Sequence, residues 1–192
     1  MSSNYYGMIF RMKFIKRWAL MRNMSEESLS QHSLDTAFIA HGLAVIGKTR
    51  FMDNISPECA ATAALFHDTA EVITGDLPTP VKYYNKDIKY AYKEIESNAE
   101  NTLINMLPED LKEEFSTLYH PDEITRKYIK AADKISALIK CKEEILLGNK
   151  EFEVAEKATI KAIKSINLPA AEVFIKEFLP AISCPLDDNM KF

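Results

Sequence analysis

The sequence predicts an all-α protein folded as one compact domain. Apolar residues recur with the 3.6-residue period of an amphipathic helix along most of the chain, and no segment alternates convincingly as a strand. Only 5 of the 192 residues are glycine, against a usual share of about 7%, which argues against a β fold with many tight turns. A chain of this length suits a single domain, which buries roughly 70% of the surface that it exposes when unfolded.

Eight helices are predicted from the apolar period, and local signals mark several of their ends. A capping serine precedes a proline in Ser56-Pro57-Glu58, and acids occupy a first turn in Pro121-Asp122-Glu123. Leu107-Pro108-Glu109 closes one helix and opens the next, and Gly148-Asn149 is a helix stop. The predicted helices span about residues 8–20, 30–47, 57–73, 87–106, 109–118, 122–147, 150–166 and 169–183.

One segment, Thr74-Gly75-Asp76-Leu77-Pro78-Thr79-Pro80, does not follow the helical period. Its two prolines and its glycine disfavour regular structure, so an irregular loop is predicted at about residues 74–80. Because this loop follows directly on the predicted helix that carries His67 and Asp68, it would lie at the mouth of any site that those two residues form.

The net charge of −4 produces no global positive field of the kind that attracts nucleic acid, which is therefore not an expected partner. A local exception is a basic run near the N-terminus, interleaved with apolar residues. A solvated helix face is the preferred interpretation, and a membrane-surface helix or half of an anion site remain alternatives. The basic residues are Arg11, Lys13, Lys16, Arg17 and Arg22, and the interleaved residues are Phe10, Phe14, Ile15 and Trp18.

The three cysteines, Cys59, Cys141 and Cys184, are widely spaced and include no C-x-x-C pair. Neither a disulfide framework nor a zinc knuckle is predicted, and a reducing compartment fits. The N-terminal segment shows no uninterrupted apolar core of a signal peptide, and nothing approaches the roughly 20 apolar residues of a membrane span. We therefore expect a cytoplasmic protein without a membrane partner.

The adjacent pair His67-Asp68 is the strongest indication of chemistry in the chain. A ring nitrogen and a carboxylate on neighbouring residues bind one metal ion only when other ligands converge from elsewhere. His32 upstream and Asp133 downstream are the candidates, each inside a predicted helix. Two imidazoles and two carboxylates form a mixed nitrogen and oxygen set, which suits one divalent first-row ion and leaves positions for water and substrate.

Glu71 is predicted to point into the same cavity as this pair. Each residue of a helix turns by about 100°, so Glu71 would lie about 40° from His67 and about 60° from Asp68. It would then hold or deprotonate the attacking water without binding the metal. The alternative is that Glu71 faces solvent near the end of its helix.

His32 is predicted in the first turn of a buried helix, before the apolar pattern that starts at Leu34. A hydrogen-bonded structural histidine is the alternative to a ligand at this position. His41 lies nine residues further on, which places it on the opposite side of the same helix. We therefore predict that His41 and His120 are not ligands.

Asp133 lies in a strongly apolar predicted helix, flanked by Ala131, Ala132 and Ile135, and is expected to be partly buried. A buried carboxylate is unfavourable unless a charge or a metal compensates it. A metal ion is one such partner, and an ion pair with Lys130, Lys134 or a distant arginine is the alternative.

The order of these residues resembles that of the HD-domain metal-dependent phosphohydrolases: His32, then His67-Asp68 after 35 residues, then Asp133 after a further 65. Longer stretches, from about residue 8 to 183, resemble the bacterial YfbR-type 5′-deoxynucleotidases, most specifically the TGDLPTP loop and the Arg17-Trp18 pair. The stretches are Lys16-Arg17-Trp18 with Met21-Arg22-Asn23, Gln31-His32-Ser33-Leu34, residues 67–83 from His67 to Tyr83, Lys130 to Asp133, Leu138-Ile139-Lys140-Cys141, and Gly148-Asn149 with Glu151-Phe152.

The resemblance implies a single HD-domain helical bundle over residues 1–192, a homodimer, and hydrolysis of deoxyribonucleoside 5′-monophosphates to nucleosides and phosphate. It also implies one divalent metal ion, with Co²⁺ as the first expectation and Mn²⁺, Zn²⁺ or others as alternatives. Carried over by motif, the metal ligands would be His32, His67, Asp68 and Asp133.

Roles for the surrounding residues follow from the same resemblance. Arg17 would orient the phosphate, and Trp18 would lie against the sugar where a 2′-hydroxyl would otherwise fit. Glu71 would support the attacking water, and either Glu71 or Asp76 would transfer the proton. The expected catalytic residues are Arg17, Glu71 and Asp76, and the expected substrate-binding residues are Arg17, Trp18, Asp68, Asp76, Leu77, Pro78, Thr79 and Asp133.

Two residues depart from the family pattern. Gln31 stands where an acid commonly precedes the histidine, and Ala19 follows Trp18 where a proline is common. Neither change removes a functional group, and the expected consequence of Ala19 is limited to how firmly Trp18 is held. An HD-type (p)ppGpp hydrolase, an HD-type phosphodiesterase and a non-catalytic nucleotide sensor are the competing functions.

Overall fold

The structure, a computed structural model, describes residues 2–82 and 84–190. Met1, Lys191 and Phe192 of the predicted domain, and Tyr83 of the stretch that resembles the family, lie outside the described residues. The described residues are mostly helical and form no β-strand, which confirms the predicted fold class. The α-helices are α1 (Tyr5–Ile9), α2 (Leu29–Arg50), α3 (Pro57–Phe66), α4 (Glu71–Thr74), α5 (Thr79–Lys82), α6 (Lys86–Asn105), α7 (Lys112–Tyr119), α8 (Glu123–Leu146), α9 (Glu153–Ile166), α10 (Pro169–Glu177), α11 (Leu179–Ile182) and α12 (Leu186–Asn189); 3₁₀ helices span Phe10–Phe14, Glu109–Leu111 and Lys150–Phe152.

Helices α2, α3 and α8 form the centre of the molecule, and α9 and α10 pack around them. Short side chains occupy the contacts between these helices: Ala40, Ala44, Ala64 and Ala131 are fully buried. Small residues let helix backbones approach closely, so polar side chains from the three central helices reach one another. Within the described part of the chain, none of the helices has the length and apolar character needed to cross a membrane.

A second, smaller apolar cluster fixes the N-terminal segment. Tyr5 is fully buried against Leu103 and Leu107 of the α6 end, and its ring meets that of Phe115 edge to face at 5.2 Å. The Tyr5 and Tyr119 hydroxyls are hydrogen-bonded at 2.8 Å. The chain that leads to Arg17 therefore starts from a fixed point on α6 and α7.

The helix predicted at 8–20 is wrong beyond residue 14. After the 3₁₀ helix, Lys16 forms an isolated antiparallel bridge with Ser28, and the Arg17 N–H donates to the Glu27 carbonyl at 3.0 Å. Trp18 has a φ of 60°, a left-handed conformation that no helix interior contains. Ser28 begins α2 with a capping box completed by Gln31, so the segment before it pairs with the start of α2 and cannot continue as a helix.

The helix predicted at 57–73 ends at Phe66, and residues 67–70 form turns before α4. Side chains take the carbonyls that a continuing helix would use: His67 Nδ1 donates to the Ala64 carbonyl, and Thr69 Oγ1 donates to the Phe66 carbonyl. The predicted loop is also shorter, covering residues 75–78, because Thr79 and Pro80 begin α5. Proline is compatible with a first helical turn, where its missing N–H leaves no bond unmade.

Candidate active site

Three parts of the fold bring the predicted metal ligands together. His32 comes from the first turn of α2, His67 and Asp68 follow the end of α3, and Asp133 comes from the middle of α8. The closest approaches are 3.0 Å from His67 Nε2 to Asp68 Oδ2, 3.2 Å from His32 Nε2 to Asp133 Oδ1, and 3.6 Å from His32 Nε2 to Asp68 Oδ2. In the described chain, His32, His67 and Asp68 have ligand atoms that all lie within 4.8 Å of one another.

Asp133 lies beside this trio and outside that distance limit. Its Oδ1 contacts His32, and its Oδ2 accepts a bond of 2.9 Å from Lys134 Nζ. The ion pair with Lys134 that was weighed as the alternative is therefore present, together with the contact to the histidine. The side chain is 22% exposed, in line with the expected partial burial.

His67 has the hydrogen-bond pattern of a metal ligand. Its Nδ1 donates to the Ala64 carbonyl at 2.7 Å, which leaves Nε2 with a lone pair in the neutral ring. Nε2 is buried without a hydrogen-bond partner and faces Asp68 Oδ2. His67 Nε2 and the carboxylate oxygen need a positive charge between them, which a proton supplies in the metal-free site and a divalent cation would supply when bound. The donor set therefore fits a divalent cation.

The electrostatics of the cluster point the same way. Burial lowers the pKa of His67, but the carboxylates of Asp68 and Asp133 raise it overall to about 9. Burial alone raises the pKa of Asp68, but His67 reverses this and holds it below the ordinary value. His32 Nδ1 lies 3.1 Å from Ser136 Oγ, which orients the ring so that Nε2 faces Asp68 and Asp133. A metal ion bound by these side chains would displace a proton from His67, because only the unprotonated ring nitrogen can be a ligand.

Arg17 adds positive charge to the edge of the cluster. Its Nη1 donates to Asp68 Oδ2 at 3.4 Å, and its Nε donates to Glu27 Oε2 at 3.3 Å. The side chain is only 12% exposed, so the preferred interpretation of the basic run as a solvated helix face is wrong for Arg17. Burial lowers the pKa of Arg17, but Asp68 and the other carboxylates raise it overall, so the guanidinium stays charged.

Glu71 reaches the cluster by a different route from the one predicted. It begins α4 after a turn whose backbone hydrogen bonds join residues three positions apart, as from the Glu71 N–H to the Asp68 carbonyl. The angles between Glu71, His67 and Asp68 that were predicted from one continuous helix therefore do not apply. The side chain is nevertheless buried, and the solvent-facing alternative is wrong. Burial, followed by repulsion from Asp68 and Asp76, raises its pKa to about 9, and its Oε2 has no hydrogen-bond partner in the described structure.

A cavity of about 640 Å³ lies next to the cluster. Arg17 and Trp18 form one part of its wall, and the loop after α4 forms another. Burial raises the pKa of Asp76 on that loop, although Arg17 partly opposes the rise. The lining residues include Arg17, Trp18, Asp76, Leu77, Pro78, Thr79, Lys130, Lys134 and the α9 residues Ala155, Ala158, Thr159 and Ala162.

Glu27 orients both members of the Arg17-Trp18 pair, although it is not among the residues predicted from the sequence. Its Oε2 accepts from the Trp18 indole Nε1 at 2.9 Å as well as from Arg17, and its Oε1 lies 4.0 Å from His32 Nδ1. The only signal available was its position directly before the Ser28 cap. That signal marks a helix start and carries no chemistry.

His41 and His120 are exposed and take no part in the group of potential ligands found among the described residues. That neither histidine is a metal ligand stays a prediction. Neither histidine is among the residues that line the cavity, whereas the basic residues Lys130 and Lys134 of α8 are.

Comparisons with known sequences identify a family and several close relatives. The sequence profile of the family described as YfbR-like 5′-deoxynucleotidases matches residues 4–182. A 5′-deoxynucleotidase of Vibrio parahaemolyticus is 43% identical over 189 residues, covering 97% of each chain. The 5′-deoxynucleotidase of Erwinia tasmaniensis is 42% identical over 189 residues, covering 97% of this chain and 96% of the relative.

Solved structures with more distant sequences share the fold. An HD-domain phosphohydrolase from Listeria innocua superposes with a TM-score of 0.81 at 23% identity, covering 93% of this chain and 88% of that chain. The cyanophage S-2L HD phosphohydrolase, bound to dA and one catalytic Zn²⁺ ion, superposes with a TM-score of 0.65 at 19% identity, covering 95% and 97%. The helical architecture is thus that of the HD phosphohydrolases.

Proposed function

This chain belongs to the YfbR-like 5′-deoxynucleotidase family, and we propose that His32, His67, Asp68 and Asp133 hold one divalent metal ion at its active site. The protein is a metal-dependent 5′-deoxynucleotidase, which hydrolyses deoxyribonucleoside 5′-monophosphates to deoxyribonucleosides and phosphate. The observation that carries the metal proposal is the unpartnered, buried Nε2 of His67, which faces a carboxylate oxygen at 3.0 Å. The single catalytic Zn²⁺ of the cyanophage enzyme supports a one-metal site.

A phosphate monoester resists attack because its oxygens are already negative, so the site must offset charge and provide a nucleophile. A divalent cation held by these four residues would offset the negative charge of a phosphoryl oxygen, lower the pKa of water and offset the repulsion among the carboxylates. Arg17 provides a planar, permanently charged donor group for the remaining phosphate oxygens. Its bonds to Glu27 and Asp68 use Nε and Nη1, which fix the direction of the guanidinium plane.

Glu71 and Asp76 divide the proton transfers according to their positions. Glu71 is buried beside Asp68, where, once the repulsion is offset, its carboxylate accepts a proton from the attacking water. Asp76 lies on the wall of the cavity, where its carboxyl group would donate a proton to the leaving 5′-oxygen, and burial raises its pKa in the direction that this role requires. Water oxygen attacks phosphorus as the bond from phosphorus to the 5′-oxygen breaks, and the nucleoside leaves as the alcohol.

The wall formed by Trp18 supports selection of the deoxy sugar. Its indole is held by Glu27 and packs on Phe152, with ring centres 5.3 Å apart, so it cannot swing away without breaking both contacts. In the proposed pose the phosphate lies at Arg17, and the sugar lies against the neighbouring Trp18. A 2′-hydroxyl would then meet the indole.

Replacing Trp18 with alanine is expected to lower the ratio of kcat/KM for dAMP to that for AMP by about tenfold or more, because the 2′-hydroxyl gains room. The measurement is phosphate release from both nucleotides. Phe14→Ala is the matched control, since Phe14 is an exposed aromatic residue outside the cavity lining. An unchanged ratio in the Trp18 variant would refute steric exclusion.

The proposed function is tested with metal-stripped protein. After addition of Co²⁺, Mn²⁺, Zn²⁺ or Mg²⁺, phosphate release is measured from dAMP, AMP and dAMP-3′-phosphate, alongside turnover of ppGpp and bis(p-nitrophenyl) phosphate. Metal-dependent release from dAMP above the others is the expected result. Dominant diester or ppGpp turnover would favour the other HD chemistries, and tight dAMP binding without phosphate release would indicate a nucleotide sensor.

Three finer properties complete the proposal: Co²⁺ as the most active metal, a homodimer as the working form, and the cytoplasm as the location. The mixed nitrogen and oxygen donor set supports a first-row ion. Leu34, Phe38 and Val45 form an exposed apolar row along α2, which supports contact with a second copy. The three free cysteines support a reducing compartment.

A further inference from the structure

A second group of buried charges lies near the C-terminal end of α8, away from the metal site. Glu144 is fully buried and Lys140 nearly so, and the two form an ion pair. Glu144 also accepts from the backbone N–H groups of Met24 at 2.8 Å and Ser25 at 3.0 Å, and from Asn149 Nδ2 at 2.7 Å. Burial raises the pKa of Glu144, but the bond from Lys140 and the other donors lower it overall to about 2.

These bonds hold the segment that carries the sugar-facing wall. Residues 18–25 have no regular helix, and residues 22, 24 and 25 bond to side chains near the junction of α8 and α9. Lys140 donates to the Ser25 carbonyl, Asn149 donates to the Arg22 carbonyl at 2.6 Å, and Arg22 pairs with Glu151 at 2.8 Å. We call Lys140, Glu144, Asn149 and Glu151 the anchor cluster.

Trp18 needs such support because its backbone is strained. A non-glycine residue at a φ of 60° persists only where its surroundings over-determine it. The Trp18 carbonyl accepts from the Met21 N–H at 2.9 Å and from Asn23 Nδ2 at 3.2 Å. Asn23 directly precedes Met24, which Glu144 holds, and Phe152 under the indole lies at the same junction.

Helix α8 links the anchor cluster to the metal site. Asp133, Ala137, Lys140 and Glu144 follow one another at helical spacing on one face, because eleven residues make about three turns. Asp133 lies at the metal cluster, Ala137 lines the cavity, and Glu144 holds the segment after Trp18. The rigid rise of α8 over these residues, about 16 Å, therefore fixes the distance from the metal cluster to the anchor.

We propose that Glu144 is a positioning residue, which fixes Trp18 at a set distance from the metal cluster and thereby sets the preference for the 2′-deoxy sugar. The proposal rests on the proposed role of Trp18. Glu144 touches neither substrate nor metal. It acts through the backbone of Met24 and Ser25, and its loss moves the wall without removing the indole.

The test is Glu144→Gln in the full chain, because the amide keeps the shape and loses the charge and one acceptor. Trp18 is the only tryptophan in the protein, so its fluorescence reports the segment directly. We expect red-shifted emission, stronger quenching by acrylamide, and a dAMP to AMP ratio of kcat/KM lowered by about tenfold, through a higher KM for dAMP more than a lower kcat. Co²⁺ affinity, measured by titration, is expected to stay unchanged.

Tyr128→Phe is the control for general destabilisation. Tyr128 is fully buried on the same helix, and its hydroxyl donates to Asp53, away from residues 18–25. This variant is expected to melt at a lower temperature with unchanged emission and selectivity. Asn149→Ala, which removes one hydrogen-bond donor to Glu144, replaces Glu144→Gln in the test if that variant does not fold. It should shift the Trp18 emission and the dAMP to AMP ratio in the same directions, by a smaller amount.

Unchanged Trp18 emission in folded Glu144→Gln and Asn149→Ala would overturn the proposal. It would also be overturned if the emission shifts in these variants but their dAMP to AMP ratio of kcat/KM does not, provided that Trp18→Ala does change this ratio. If Trp18→Ala leaves the ratio unchanged, the proposed role of Trp18 fails, and with it the selectivity role of Glu144. If the wild type releases no phosphate from dAMP, the assigned activity fails, whereas the emission readout still decides whether Glu144 positions Trp18.

Discussion

Replacing Asp68 with asparagine is expected to remove the bound metal and to lower kcat/KM for dAMP by about 10⁴-fold or more. Asp68 Oδ2 is the atom on which the cluster converges: His67 Nε2, Arg17 Nη1 and His32 Nε2 lie 3.0, 3.4 and 3.6 Å from it. The amide has nearly the same shape, so the loss reports charge and coordination. Metal content after dialysis and phosphate release are the two measurements.

Asp35→Asn is the matched control, because Asp35 is an exposed aspartate on α2 close to His32 in sequence. It is expected to keep both metal and activity. One equivalent of tightly bound metal in the Asp68 variant, with activity above about 1% of wild type, would contradict the assignment of Asp68 as a ligand.

Glu71→Gln is expected to act in opposite directions on activity and on stability. Loss of the proton acceptor should lower kcat by about 10²–10⁴-fold. In metal-free protein, however, the same change should stabilise the fold at neutral pH. Wild-type Glu71 must bind a proton on folding there, because burial raises its pKa from 4.5 to about 9.

The pH dependence of this stability difference follows from the direction of the shift. Between pH 4.5 and about pH 9, the folded wild type holds a proton that the unfolded chain has lost, so its stability falls as pH rises through this window. Glutamine has no such dependence. The variant should therefore match the wild type below pH 4.5 and exceed it increasingly above, by on the order of 3 kcal/mol at pH 7.

Denaturant unfolding in EDTA at pH 4.5, 7 and 9 measures this difference. Saturating Co²⁺ should shrink it, because the cation would offset the repulsion from Asp68 and Asp76 that adds to the effect of burial on the Glu71 pKa. Glu177→Gln is the control: it removes an exposed carboxylate paired with Arg50 at 2.6 Å, and should not stabilise the protein. A pH-independent difference for Glu71→Gln would show that Glu71 does not fold in its protonated form.

The helical nature of the chain was predictable because it depends on local information. The apolar period, the cap at Ser56 and the first-turn acids at Asp122 and Glu123 identified helices that the structure contains. The break after Phe66 was not predictable in this way. There, the His67 and Thr69 side chains compete with backbone N–H groups for carbonyls, and apolar periodicity does not register that competition.

The residues of the site likewise include some that were predictable from the sequence and some that were not. Residue types and their order are properties of the sequence, so His32, His67-Asp68 and Asp133 were candidates before any coordinates, and the resemblance to a known family supplied roles for Arg17 and Trp18. Glu27 and Glu144 carried no such signal. Glu27 acts through bonds to residues nine and ten positions away, and Glu144 through bonds to residues 119 and 120 positions away.

By itself, then, the sequence determined that this protein is helical, that it belongs with the HD phosphohydrolases, and which side chains are chemically able to bind a metal. Only the tertiary structure decided how those side chains face one another. It showed His67 Nε2 facing Asp68 Oδ2, the burial of Glu71 despite a broken helix, and the left-handed backbone of Trp18. The physical reason is that helix formation is governed by neighbours in the chain, whereas the charge and direction of a buried group depend on neighbours in space.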